Sequence, residues 1–335
     1  MTAEILSTHT PALFDAAVKR AAGLLRAGEV VALPTETVYG LAANAFDEKA
    51  VGKIFQIKGR PANNPIIVHV AGVEMAQRCV KAWPNPAEKL ARAFWPGPLT
   101  LVLPRAKEIP GIVTAGGTTV GVRWPSHSFI QAVIRECGFP LAAPSANVSG
   151  RVSPTNAGHV RQQLGDKISL IVDGGQSQVG IESTVLDLTG SPPRVLRPGM
   201  IHAESLAAVL ENIQHPTSNI QHPKPKSPGL LNKHYSPKAK LLILNWYDDA
   251  DLNAQLSTLN VQLLDCHVIA HTHIPAGDSI ARVSVIPHDA KAFARAIYAE
   301  LHRCDAAGAG LIVVETPPES PEWSGIADRL QRAAA

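Results

Sequence analysis

The chain has 335 residues, 45% hydrophobic and 18% charged, with a formal net charge of +3. That length suits two domains of ordinary composition, and no apolar run approaches the ~18 residues of a membrane span. The four cysteines, Cys79, Cys137, Cys266 and Cys304, form no CxxC, which excludes a zinc ribbon or a redox dithiol.

The first residues, "MTAEILSTHTPALF", lack the basic start and apolar stretch of a signal peptide, so a reducing, cytoplasmic setting is expected, with no membrane partner. Charge is uneven along the chain. Residues 1–205 carry 20 Lys and Arg against 15 Asp and Glu; residues 206–240 carry 5 against 1; residues 241–335 carry 6 against 12. The front favours an anionic partner, although a bias this small also fits solvated surface.

In chain order, "PALFDAAVKRAAGLLRAGE" puts Phe14, Val18, Ala21 and Leu25 at helical spacing, with Gly28 to end the helix. "EVVALPT" reads as a short buried strand. "FDEKAVGKIFQIKG" reads as a helix capped by Asp47 and closed by Gly59. "PIIVHV" is a strand. "LTLVLP", "TVGVRWP", the helix "SHSFIQAVIRECG", "PLAAPS", "SLIVDGG", "STVLDLT" and "RVLRPG" follow, and "HAESLAAVLENI" is expected to close the unit as a helix. Short strands alternating with helices predict an α/β or α+β sheet domain over residues 1–213. Residues 214–239, rich in Pro, Lys, Ser and Asn and holding "NIQHP" twice, read as a linker. Residues 240–335, with strands "KLLILNW" and "LIVVETP" and the helix "DAKAFARAIYAELHRCDAAG", predict a small α/β domain.

Several stretches carry chemistry. "LPTETVYGLAANAF" crowds Thr35, Glu36 and Thr37 at a strand end, where ligands bind in open α/β sheets; the same residues also suit a capping turn. Lys58 complements the negative end of its helix, but Gly59 turns the chain before Arg60, so the dipole does not account for that cation. Asn63 and Asn64 suit a turn or a ligand, and His69 is either a satisfied strand histidine or a ligand contact. Arg123 lies between Val122 and Trp124, which is costly unless its fork meets an anion, either a ligand or an internal Asp or Glu. Ser145, Asn147, Ser149 and Ser153 are either a Ser/Asn loop or a grip on phosphate and ribose. Ser183, Thr184, Arg197 and, in the linker, Lys233, His234 and Tyr235 add further polar groups. There is no Walker loop, no GxGxxG after a strand and no GxSxG elbow. His267, His271 and His273 have loose metal-ligand spacing without an HExxH, and read as strand and loop histidines. Many cations and hydroxyls without a covalent nucleophile suit transfer chemistry on a phosphoanhydride.

Together "PTETVYGLAANA", "KGRPANNPIIVHV", "FWPGPLTLVL", "APSANVSG…SPT" and "ESTV" resemble the YrdC-like domain of the threonylcarbamoyl-AMP synthase family, whose KxR…SxN signature is matched by Lys58, Arg60, Ser145 and Asn147. "SPGLLNKHYSPKA" with an α/β domain behind it is similar to the family's longer form. The resemblance implies a twisted open mixed sheet with helices and a positive concave face, plus a smaller Rossmann-like α/β domain, with the linker folding over the active site. It implies synthesis of L-threonylcarbamoyl-AMP and pyrophosphate from L-threonine, bicarbonate and ATP, with Mg2+ accompanying ATP. The product feeds threonylcarbamoyladenosine formation in tRNAs reading codons that begin with A. Partners expected on this basis are the downstream tRNA threonylcarbamoyl transferase machinery and, weakly, tRNA.

By the same resemblance, threonine contacts fall to Thr37, Lys58, His69, Arg123, Ala143 and Ser183. ATP contacts fall to Arg60, Asn64, Thr119, Ser145, Asn147, Ser153, Arg197 and Tyr235, with Lys58 and Arg60 catalytic. The duplicated "NIQHP" makes the linker a departure that bears on Tyr235. A non-enzymatic double-stranded RNA or tRNA-binding module is the alternative, but no RNP or KH motif supports it. A carbamoyl-transfer protein of the hydrogenase-maturation type would bring CxxC zinc fingers, which are missing.

Overall fold

The computed structural model describes residues 2–210, 213, 234–258, 265–276 and 280–335. The chain divides into two compact units, one formed by Met1–Ser149 and Ser153–Leu230, the other by Gly150–Val152 and Leu231–Ala335. The first runs β1 (Glu4–Ser7), α1 (Pro11–Arg26), β2 (Val31–Leu33), β3 (Gly40–Asn44), α2 (Glu48–Lys58), β4 (Val68–His69), α3 (Val73–Cys79), α4 (Asn85–Phe94), β5 (Leu99–Pro104), β6 (Thr119–Arg123), α5 (Ser128–Cys137), β7 (Leu141–Ala142), α6 (Ala157–Leu164), β8 (Leu170–Asp173), β9 (Thr184–Asp187), β10 (Arg194–Arg197) and α7 (Ala203–Ala207).

Its strands join in one mixed sheet, ordered β1-β8-β2-β3-β7-β4-β6-β5-β9-β10. Alternation along the strands splits the core in two, because successive side chains point to opposite faces. Ala32, Leu41 and Ala43 belong to one apolar cluster with Val51 and Ile54 of α2 and Leu90 of α4. Val31, Leu33 and Ala42 belong to the other, with Val18 and Leu25 of α1 and Phe129 and Ile130 of α5. Both faces are covered, which is why the strands read as nearly continuous apolar runs.

The helix boundaries follow their caps. In α1 the Thr10 side chain accepts from the Leu13 N–H, and Pro11 opens the first turn. In α2 the Asp47 carboxylate accepts from Lys49 and Ala50, and Gly59 ends the helix at φ 60°, in the left-handed region that favours glycine. That turn redirects the chain between Lys58 and Arg60.

Two expectations need correction. "PIIVHV" forms ladder only at Val68–His69; before it, the Ile66 N–H donates to the Val113 carbonyl and the Ile67 carbonyl accepts from the Ala143 N–H. The stretch is extended but its bonds go to loop residues. "HAESLAAVLENI" is helical only over Ala203–Ala207, and residues 211–212 lie outside the described residues.

The second unit contains β11 (Lys240–Leu244), α8 (Asp249–Ser257), β12 (Cys266–Ala270), β13 (Arg282–Val285), α9 (Ala290–Ala306), β14 (Leu311–Glu315) and α10 (Ser324–Ala334). Its four strands are all parallel, in the order β11-β14-β12-β13. Trp246, Leu252, Val268 and Val313 lie in its core. The loop after β12 is built around one carboxylate. Glu315 accepts from the backbone N–H groups of His271, Thr272 and His273 at 2.7, 2.8 and 3.1 Å, and His273 Nδ1 lies 2.8 Å from it. His271 and His273 thus belong to a polar turn. Among the described residues no group of three or more His, Cys, Asp or Glu is arranged to hold a metal ion.

Candidate active site

Two of the candidate cations of the first unit, Arg123 and Lys58, are almost fully buried. β4 and β6 pair in parallel with His69 opposite Arg123, so imidazole and guanidinium lie side by side. Arg123 donates from Nε to the Gly97 carbonyl at 3.2 Å and from Nη1 to Thr37 Oγ1 at 3.0 Å. Its Nη2 is 2.7 Å from Glu36 Oε1, with both side chains buried. The anion that Arg123 requires is therefore an internal carboxylate in this structure.

The "PTET" segment forms the turn that one of its sequence readings expected. Thr35 Oγ1 accepts from the backbone N–H groups of Thr37 and Val38 and donates to the Val38 carbonyl. Thr37 Oγ1 lies 3.0 Å from Thr35 Oγ1, a contact in which either hydroxyl can donate, and it accepts from Arg123 Nη1. Thr35 forms the turn, while Thr37 links it to Arg123.

Lys58 holds the 145–149 loop. Its ammonium donates to the carbonyls of Ser145 and Asn147 and, at 3.3 Å, to Asn147 Oδ1. The Ser149 N–H returns a bond to the Lys58 carbonyl at 2.9 Å. Three acceptors match the three ammonium protons. Burial, and then the charge of Arg60, push the lysine well below its ordinary value, against the opposing pull of Glu182. Arg60 itself closes a small ring, donating to the Asn64 carbonyl, to Asn64 Oδ1 at 2.8 Å and to the Pro65 carbonyl. The buried Asn64 Nδ2 has no hydrogen-bond partner among the described residues.

Arg197 donates to the Ser183 carbonyl at 3.1 Å and to Ser183 Oγ at 3.2 Å, and Ser183 Oγ also meets Thr100 Oγ1 at 2.8 Å. Ser153 Oγ donates to Glu182 Oε1 at 2.6 Å. The Ala143 N–H is bonded to Ile67, so its backbone is locked into the sheet. Thr119 lines a small, mainly apolar cavity with Pro65, Ile67, Thr100, Val113 and Gly121.

Of the sequence-predicted residues, those between Thr37 and Arg197 all fall in the first unit. Tyr235 falls in the second, buried, with its ring 6.0 Å from that of Tyr298 and Arg329 over it at 5.4 Å. Linker residues 214–233 lie outside the described residues. Two participants had no role assigned from sequence. Glu36 stood in a motif with two readings, and Glu182 precedes the "STV" strand with nothing to announce its partner. The cysteines take no part as nucleophiles: burial pushes Cys79 and Cys304 up to about 12 and Cys137 and Cys266 up to about 11, so their thiols stay protonated near neutrality.

His69 titrates unusually. Burial, and then the charge of Arg123, hold it well below the ordinary 6.5. Burial also lowers His127, against the opposing charge of Glu36. The unfolded chain binds protons below about pH 6.5 that the folded rings refuse, so stability is full above that pH and falls as the pH drops below it. Between pH 7.5 and 5.5, His69→Gln is expected to lose about 1 kcal/mol less stability than the parent chain, read by thermal unfolding. Equal losses would mean that the folded ring takes up its proton as readily as a free histidine.

Among the described residues no helix is long and apolar enough to cross a membrane. A family model described as telomere recombination (Sua5, YciO and YrdC) matches residues 23–199, and one described as threonylcarbamoyl-AMP synthase, C-terminal domain, matches residues 201–335. A threonylcarbamoyl-AMP synthase of Pyrococcus abyssi (strain GE5 / Orsay) is 39% identical over 95% of this chain and 94% of its own length. One from Bacillus subtilis (strain 168) is 48% identical over 71% of this chain and 68% of its own. The solved structure of P. abyssi Sua5 complexed with L-threonine superposes with a TM-score of 0.89 at 35% identity, covering 100% of this chain and 98% of that one. With both halves matched in order and the fold shared along its length, the chain belongs to the threonylcarbamoyl-AMP synthase family.

Proposed function

We propose that this protein joins L-threonine, bicarbonate and ATP into L-threonylcarbamoyl-AMP with release of pyrophosphate. The threonine amine takes up bicarbonate to give a carbamate, and a carbamate oxygen attacks the α-phosphorus in line while pyrophosphate leaves. The observation that carries this reading is the constellation itself: buried Lys58, Arg123 and Arg197 and half-buried Arg60 against two buried carboxylates, Glu36 and Glu182, with hydroxyls among them. An excess of fixed cations suits a polyanionic nucleotide and needs no covalent intermediate.

Threonine is assigned to the Arg123 end, with Thr37, His69, Ser183 and the Ala143 backbone. Thr37 offers its hydroxyl, and the buried His69 Nδ1 and Asn64 Nδ2, both without hydrogen-bond partners among the described residues, are suited to ligands. ATP is assigned to Arg60, Asn64, Thr119, Ser145, Asn147, Ser153, Arg197 and, by the family resemblance, Tyr235; Arg60 and Arg197 offset phosphate charge. The engagement of the Lys58 ammonium with Ser145 and Asn147 supports a positioning role, holding the loop that faces the phosphates. For Mg2+, the donor set does not form a protein site: Glu36 is paired with Arg123 and Glu182 receives Ser153. The ion would arrive with ATP, held by phosphate and water.

We assign the product to threonylcarbamoyladenosine formation in tRNAs reading codons that begin with A. That implies a cytoplasmic setting, hand-over to a tRNA threonylcarbamoyl transferase machinery and at most weak binding of tRNA. Incubation with ATP, threonine and 13C-bicarbonate, followed by mass spectrometry, is expected to yield an adenylate carrying one threonine and one labelled carbon. An unlabelled adenylate, or AMP alone, would overturn this reading.

A further inference from the structure

Resting on the reading above, we propose that Glu36 receives the α-ammonium group of threonine and accepts the proton that the amine loses before it becomes a carbamate. Glu36 is 6% exposed, and its main chain is fixed because its carbonyl accepts from the Val179 N–H at 2.7 Å. Its carboxylate approaches Arg123 Nη2 to 2.7 Å, yet the contact lacks the alignment of a hydrogen bond. Both carboxylate oxygens and Nη2 consequently have no hydrogen-bond partner among the described residues. A buried ion pair whose hydrogen-bonding capacity is unfilled is costly. A zwitterion removes that deficit: its carboxylate fills the open Arg123 valence and its ammonium the open Glu36 valences. The other buried carboxylate of the constellation, Glu182, already receives Ser153 and faces Lys58. Glu36 instead shares Arg123 with Thr37 and His69, the residues assigned to threonine.

The proton count closes. Threonine's ammonium gives one proton to the Glu36 carboxylate, leaving a neutral amine and a carboxylic acid. The amine nitrogen bonds to the bicarbonate carbon, and a carbon–oxygen bond breaks. The departing hydroxyl takes a proton from the nitrogen and leaves as water, giving the carbamate. Glu36 then releases its proton to solvent. Bicarbonate is supplied by the proposed reaction, and no oxidant or reductant is needed.

The test compares binding of L-threonine with 2,3-dihydroxybutanoate, which keeps the carboxylate and side-chain hydroxyl but replaces the amine with a hydroxyl. The parent chain is expected to prefer threonine by roughly 10- to 100-fold, the range of one charge-assisted hydrogen bond. In Glu36→Gln the preference is expected to shrink to within about threefold, because the lost Arg123 pairing affects both ligands alike and only threonine has an ammonium that loses its partner. If both ligands weaken equally and the preference persists, Glu36 merely holds Arg123 and the proposal is overturned.

Because Gln leaves the Arg123 charge unmatched and risks misfolding, Glu36→Asp is the second variant. It keeps the charge but withdraws the carboxylate by one methylene. Threonine is expected to weaken at least about tenfold and dihydroxybutanoate by no more than about threefold. Equal losses again overturn the proposal. A parent chain that binds neither ligand contradicts the proposed function itself, and this assignment with it.

Discussion

Replacing Lys58 with methionine is expected to lower both the melting temperature and the activity of the protein. The ammonium satisfies the carbonyls of Ser145 and Asn147 and the Asn147 side chain from a position 2% exposed. Methionine fills a similar volume but donates nothing. Each buried acceptor left open costs about 1–3 kcal/mol, offset in part because an ammonium no longer has to be desolvated. A net loss of about 2–4 kcal/mol corresponds to roughly 5–15 °C for a unit of this size. Pyrophosphate release is expected to fall at least about 100-fold, because even a 1 Å displacement of a positioning loop carries that penalty. Calorimetry and the release assay on one preparation decide the matter. An unchanged melting temperature with activity lost would mean that Nζ acts on substrate and does not brace the loop.

The second large effect is expected at Arg123→Lys. A lysine has one nitrogen on a flexible stem, so it cannot meet Gly97, Thr37 and Glu36 together as the planar fork does. Breaking a buried pair in this way costs about 3–5 kcal/mol, which is roughly 10²–10⁴ in an equilibrium constant. The loss is expected in kcat/KM for threonine, while the affinity for ATP measured without threonine stays within about threefold, since the Arg123 side chain bonds to Gly97, Thr37 and Glu36, none of them assigned to ATP. Parallel losses for both substrates would contradict the division of the site into two ends.

The parts of the structure legible in the sequence are those set by local chemistry. Asp47 and Gly59 fix α2 from its two ends, and Gly59 explains why Arg60 departs from the helix. Arg123 announced a need for an anion because it lies in an apolar strand, and an anion is there. The partner's identity was not legible: Glu36 is far away in sequence, and its motif also suited a turn, a role that Thr35 fills. Lys58 shows the same limit. Its place at a helix end suggested a dipole or a ligand, whereas its acceptors lie near residue 145, on a loop that only the fold brings close.

Strand extent failed for a related reason. An apolar run such as "PIIVHV" reports burial, not where its backbone bonds go, and those of Ile66 and Ile67 go to Val113 and Ala143 outside the named strands. The hairpin of β2 and β3 was hidden likewise, since the crowded "PTETVY" turn does not resemble a two-residue hairpin loop.

The central claim is that the buried constellation couples threonine and bicarbonate to cleavage of ATP between its α- and β-phosphates. Pyrophosphate release, measured with ATP present and with threonine or bicarbonate omitted in turn, tests it most directly. The account predicts release only when both are present, and none above background when either is missing. Release that continues without threonine would contradict it.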